Sequence, residues 1–120
     1  MCYIFFMVAW QKQKENRCFP RINFHSKIRY QFRGKPDFDC CVSKDISYGG
    51  LRITNEQFMP VSTLVMLEIN VLNRILRPVG KVAWSMPLAH SNRNQTGIEF
   101  VEFNSAEQDY LKDFINMQNR

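Results

Sequence analysis

Two histidines, five glycines and four scattered cysteines leave little material for most catalytic or metal chemistry. Cys2, Cys18, Cys40 and Cys41 form no C-x-x-C, and the adjacent pair must point to opposite faces of any strand. Neither a zinc site nor a secreted disulfide framework is therefore expected, and free thiols point to a reducing, cytoplasmic setting. The chain has no G-x-S-x-G elbow, no glycine-rich phosphate loop and no H-E-x-x-H. A binding function without enzymatic activity, cofactor or metal is the expectation. Met1 to Trp10 is wholly apolar, yet ten residues fall short of the about 20 that span a bilayer. Positive charge before that run and small residues after it are also missing, so a signal peptide is not expected.

What is present is a single domain's worth of chain: 120 residues with ten phenylalanines and two tryptophans to fill a core. The net charge of +5 is unevenly placed. Residues 1–35 carry eight Lys/Arg against one Glu, and the remainder carries eight against ten acids. A positive field gathered near the N-terminal third favours an anionic partner. A diffuse nucleic-acid binder would spread its basic residues over the whole domain.

Residues 1–16 form an apolar segment and a polar linker (Gln11 to Asn16), and the domain proper is expected over 17–120. A free apolar tail would aggregate, so the segment is expected to pack on the domain or to self-associate, as in a homodimer. From Ile22 the pattern alternates. Ile22, Phe24, Ile28, Tyr30 and Phe32 face inward, with Asn23, His25, Lys27, Arg29, Gln31 and Arg33 between them. A turn at Gly34-Lys35-Pro36-Asp37 leads to a strand over Phe38–Ser47, with Phe38, Cys40, Val42 and Ile46 inward and Cys41, Ser43, Asp45 and Ser47 outward. Further strands are predicted at Leu51–Ile53, Thr63–Val71, Ile75–Ser85 and Gly97–Phe103, with a hairpin tip at Asn73-Arg74. Pro78 is placed at an edge or bulge, and a bulge is expected where Ile98 and Phe100 change phase to Val101 and Phe103. Ser105-x-x-Gln108 reads as a capping box opening an amphipathic helix through Tyr110, Leu111, Phe114 and Ile115. The fold class is thus all-β: a small antiparallel barrel with a C-terminal helix packed on it.

One pair of motifs organises this pattern. Arg17 and Arg21 flank Pro20, which bars a helix interior, so both arginines face one way about 13 Å apart on extended backbone. Their planar forks suit phosphate oxygens and the guanine edge. After 23 residues comes Asp45-Ile46-Ser47-Tyr48-Gly49-Gly50, where a carboxylate can accept from guanine N1–H and N2–H. The glycines allow positive φ and close backbone approach.

R-x-x-x-R followed at this spacing by D-x-S-x-x-G resembles the PilZ family of cyclic di-GMP receptor domains, over roughly Arg17 to the C-terminus. The resemblance implies a six-stranded split barrel with a C-terminal helix and cyclic di-GMP as ligand. It also implies an N-terminal segment that reorganises on binding to signal to a protein partner. It assigns ligand contacts to Arg17, Arg21, Asp45 and Ser47, with Gly50 keeping the turn open. Trp84 takes the place of a family aromatic near the ligand, and the residue pattern alone leaves it equally at home in the core. Many members carry a basic residue where this chain has Asn16, which leaves open whether one ligand molecule binds or two stacked ones. Two other readings share the fold: a protein–protein adaptor that ignores nucleotide, and a barrel binding single-stranded nucleic acid. The second wants aromatics among the charges, whereas Phe24, Tyr30 and Phe32 take the opposite phase.

Overall fold

The computed structural model describes residues 20–118. In order they form β1 (Ile22–Asn23), β2 (Lys27–Phe32), β3 (Asp39–Ile46), β4 (Gly50–Asn55), β5 (Leu64–Val71), β6 (Arg74–Leu76), β7 (Val79–Pro87), β8 (Asn94–Glu102) and α1 (Ser105–Gln118). Six strands pair antiparallel in the order β3-β2-β5-β7-β8-β4, and β4 returns to β3, closing a barrel. The two short strands continue their neighbours. β1 extends the β2 side of β3, and β6 extends the β7 side of β5. The Ile75–Ser85 strand is therefore real but broken at Arg77-Pro78, where proline has no N–H to give the ladder.

Alternation puts Ile28, Val65, Ile69, Val82 and Ile98, all fully buried, on the inner face. Removal of each such side chain from water stabilises the fold by roughly 1.5–3 kcal/mol. Leu111, Phe114 and Ile115 of α1 are buried too, and Phe114 meets Phe24 edge to face at 5.9 Å between centroids. The helix starts differently from the capping-box reading. Asn104 Oδ1 accepts from the N–H groups of Ala106 and Glu107, so Asn104 rather than Ser105 is the N-cap. Glu107 is turned outward to accept from the Arg77 N–H at 2.8 Å, which ties α1 to the break at Pro78.

The β5–β6 hairpin turns at Leu72-Asn73, both at positive φ (51° and 68°), one residue earlier than expected. The β8 bulge is present: Val79 and Gly80 oppose Glu102 and Phe100, leaving Val101 as the extra residue.

The first half of β3 corrects the predicted phase. Cys41 and Ser43 are buried, whereas Phe38, Cys40 and Val42 are exposed, Val42 by 54%. The reason is Lys44. In phase with Val42, it would carry an ammonium into the barrel if Val42 faced inward, a cost no neighbour offsets. The strand instead turns Ser43 inward, where its hydroxyl donates to Phe24 O and accepts from Ser26 N–H. A bulge at Lys44 then restores the predicted phase, with Ser43 opposite Ile53 but Asp45 opposite Arg52.

Candidate ligand-binding row across five strands

The sheet register brings the candidate residues together. Reading across the barrel wall, Ile22, Ile46, Leu51, Ile98 and Val82 are successive partners on β1, β3, β4, β8 and β7, and all face the core. The adjacent row is Asn23, Asp45, Arg52, Gly97 and Trp84. Directly paired residues share a face, and the neighbouring row takes the other one, so this row lies on the outer wall. Three strand spacings separate Asp45 from Trp84, about 14 Å. Two bulges make the alignment. Lys44 is the extra residue in β3, and Ala83 is the extra residue in β7, between Val82 opposite Ile98 and Trp84 opposite Gly97.

Trp84 accordingly belongs to the outer row and not to the core cluster, although it is only 6% exposed. Gly97 makes room for it: a Cβ there would run into the indole ring. Asp45, 6% exposed, is held from two sides. Arg21 Nε donates to Oδ1 at 3.1 Å, and Arg21 Nη2 approaches the same oxygen at 3.0 Å. Arg52 donates to Oδ2 from Nε at 3.0 Å and also from Nη2. Two guanidinium groups against one carboxylate leave the cluster one positive charge in excess. An arrangement of this kind offers fixed donors to an anion and an acceptor to a base edge.

Ser47 departs from its expected place on the wet face. It is 1% exposed, with its N–H on Gly50 O at 2.8 Å and its Oγ accepting from Gly49 N–H at 3.2 Å. Ser47 thus closes the β3–β4 turn. Gly50 sits in β4 without a positive φ, contrary to expectation. Its need is the close approach, because a Cβ would collide with the Ile98 carbonyl oxygen. The same turn reaches the helix through Tyr48, whose hydroxyl donates to Asn116 Oδ1. His25 is exposed, in phase with Asn23. Arg17 lies outside the described residues, as do Asn16, Cys2, Cys18 and the Met1–Trp10 segment, so their expected roles carry no structural placement.

Arg52 was absent from the sequence-predicted site. Its signal lay in the turn: a hairpin closing over Ser47 to Gly50 pairs Ile46 with Leu51 and therefore Asp45 with Arg52.

The family described as PilZ domain matches residues 15–117. No curated protein matches the chain. Among solved structures, the Bacillus subtilis inhibitor of motility (MotI/DgrA) superposes with a TM-score of 0.72 at 17% identity, covering 85% of this chain and 51% of that one. The K. pneumonia MrkH–c-di-GMP complex gives 0.65 at 18% identity, covering 87% and 54%. The PilZ domain of CeSA from a cellulose-synthesizing bacterium gives 0.61 at 13%, covering 84% and 99%. The chain thus spans about half the length of the first two and nearly all of the third.

Proposed function

Because the chain belongs to the PilZ domain family, we propose that it is a cyclic di-GMP receptor domain. The observation that carries this reading is the junction of the two motif halves: Arg21 and Asp45, 24 positions apart, meet at 3.0 Å on the outer row that ends at Trp84. On this reading Arg17 and Arg21 take phosphate oxygens and guanine edges, and Asp45 accepts from a guanine Watson–Crick edge. Trp84 lies at the far end of the row as an aromatic surface for a base. Ser47 and Gly50 act by shaping the turn that carries Asp45. The function is recognition without turnover. A change of conformation in the N-terminal segment before Arg17 on ligand binding transmits the signal to a protein partner.

The testing experiment is calorimetric titration of the full chain with cyclic di-GMP, GMP and a short single-stranded oligonucleotide. Cyclic di-GMP should bind most tightly, and the oligonucleotide weakly with steep salt dependence. Equal or tighter oligonucleotide binding would defeat the receptor reading in favour of a nucleic-acid barrel. No binding of any of the three would leave the adaptor reading.

A further inference from the structure

A guanine that donates both N1–H and N2–H to Asp45 needs free acceptor positions on that carboxylate. An ionised carboxylate has about four such positions, two on each oxygen. Here three of them are taken by hydrogen bonds, one from Arg21 Nε to Oδ1 and two from Arg52 Nε and Nη2 to Oδ2, with Arg21 Nη2 beside Oδ1 at 3.0 Å, so fewer than the two that guanine needs stay open. One arginine has to let go before a base can dock.

The two are not equally held. Arg52 lies within β4, with its backbone in the ladder on both sides, against Asp45 of β3 and Gly97 of β8. Directly opposite residues keep their Cα atoms about 4.5–5.5 Å apart, so the Arg52–Asp45 pair is built into the sheet. Arg21 precedes the two-residue strand β1 and, among the described residues, belongs to no ladder. Its guanidinium reaches Asp45 through the side chain alone.

We infer that Arg52 is a positioning residue of the ligand site: it stays on Asp45 Oδ2 while Arg21 is exchanged for guanine at Oδ1. The inference rests on the cyclic di-GMP reading above. Exchange at Oδ1 frees Arg21 for the phosphate or guanine edge of the same ligand. Asp45 meanwhile keeps one cation, so the buried carboxylate is never left unpaired. Arg52 also holds the carboxylate plane, and with it the direction in which Oδ1 presents its lone pairs. Base discrimination, more than anion affinity, is what Arg52 supplies.

The test compares the parent chain with Arg52→Gln and Arg52→Lys, titrating each with cyclic di-GMP and with its inosine counterpart, cyclic di-IMP, which lacks only the guanine 2-amino group. Melting temperatures without ligand are recorded alongside. The parent should prefer cyclic di-GMP. In Arg52→Gln that preference should fall about tenfold, the scale of one bidentate contact, with cyclic di-IMP affinity falling far less. Arg52→Lys, which keeps the charge without the fork, should recover part of the preference. Undiminished preference in both variants would overturn the inference and leave the receptor reading standing. So would a proportional loss of both ligands with a lowered melting temperature, which would make Arg52 a strut of the fold. Failure of the parent to bind either ligand would sink the receptor reading and this inference together. Should Arg52→Gln not fold, the Arg52→Lys preference decides: full retention at parental level overturns the inference, and a partial loss supports it.

Discussion

At the scale of single residues, Asp45 separates two kinds of site. Were the outer row only a patch of positive charge, Asp45→Ala would strengthen binding of an anion. As an acceptor for guanine N–H donors, its loss should weaken cyclic di-GMP binding by roughly 1–3 kcal/mol, measured by calorimetry. The same change removes the carboxylate that lies between Arg21 and Arg52, so melting temperature should fall as well. Gly97→Ala tests the other end of the row. A methyl there occupies the volume of the Trp84 indole, so the ring must leave its seat. A red shift in tryptophan emission together with weaker ligand binding is expected; unchanged emission would show that the ring has slack. Legibility at this scale followed charge. Arg21 and Asp45 were readable because both halves of a motif name them, and Arg52 was not, because an arginine between Leu51 and Ile53 is what any half-exposed strand contains. Only the hairpin register makes it a partner.

At the scale of elements, alternation predicted the inward faces of β2 and β5, and the helix from Tyr110 to Ile115. It failed in β3 because two signals conflicted there. Phe38, Cys40 and Val42 are the more apolar set, but Lys44 shares their phase, and a closed barrel interior excludes a lysine more firmly than it excludes Ser43. The helix start was misread by one residue because Ser105 and Asn104 are both good caps. The two are separable by mutation. Asn104→Ala should cost about 1 kcal/mol in urea denaturation, since two N–H groups of the first turn lose their acceptor, whereas Ser105→Ala should cost little. Equal losses would return the cap to Ser105.

For the whole molecule, one buried group sets an alkaline limit. Burial, reinforced by the neighbouring Cys40, pushes the Cys41 thiol up from 9.0 to about 12. The unfolded chain releases this proton near 9.0, while the folded chain holds it until about 12. The folded state therefore binds more protons across that interval, and stability present below pH 9.0 is lost as pH rises through it. Burial raises the Tyr30 hydroxyl from 10.0 to about 12 as well, in the same direction. Urea midpoints measured below and within this window should fall with pH, and Cys41→Ala should flatten the early part of the decline. A flat parental profile would mean that the thiol is not enclosed.

A six-stranded ring has one further property that an open sheet lacks. An open sheet can absorb a lost residue by sliding an edge strand, whereas a ring must keep its total stagger or cease to close. Lys44 contributes its backbone length to that stagger; its ammonium has no described partner. Substitution of Lys44 by Ala or Thr should accordingly leave the fold and cyclic di-GMP affinity near parental values. Deleting the single residue should instead remove the bulge: Asp45 then follows Ser43 and still lies opposite Arg52, but the ring loses that piece of its stagger and the bond from Phe24 N–H to Lys44 O, so melting temperature followed by circular dichroism should fall. The position is free in kind and fixed in count, so drift in this segment should proceed by exchange of side chains and stop at the first gap.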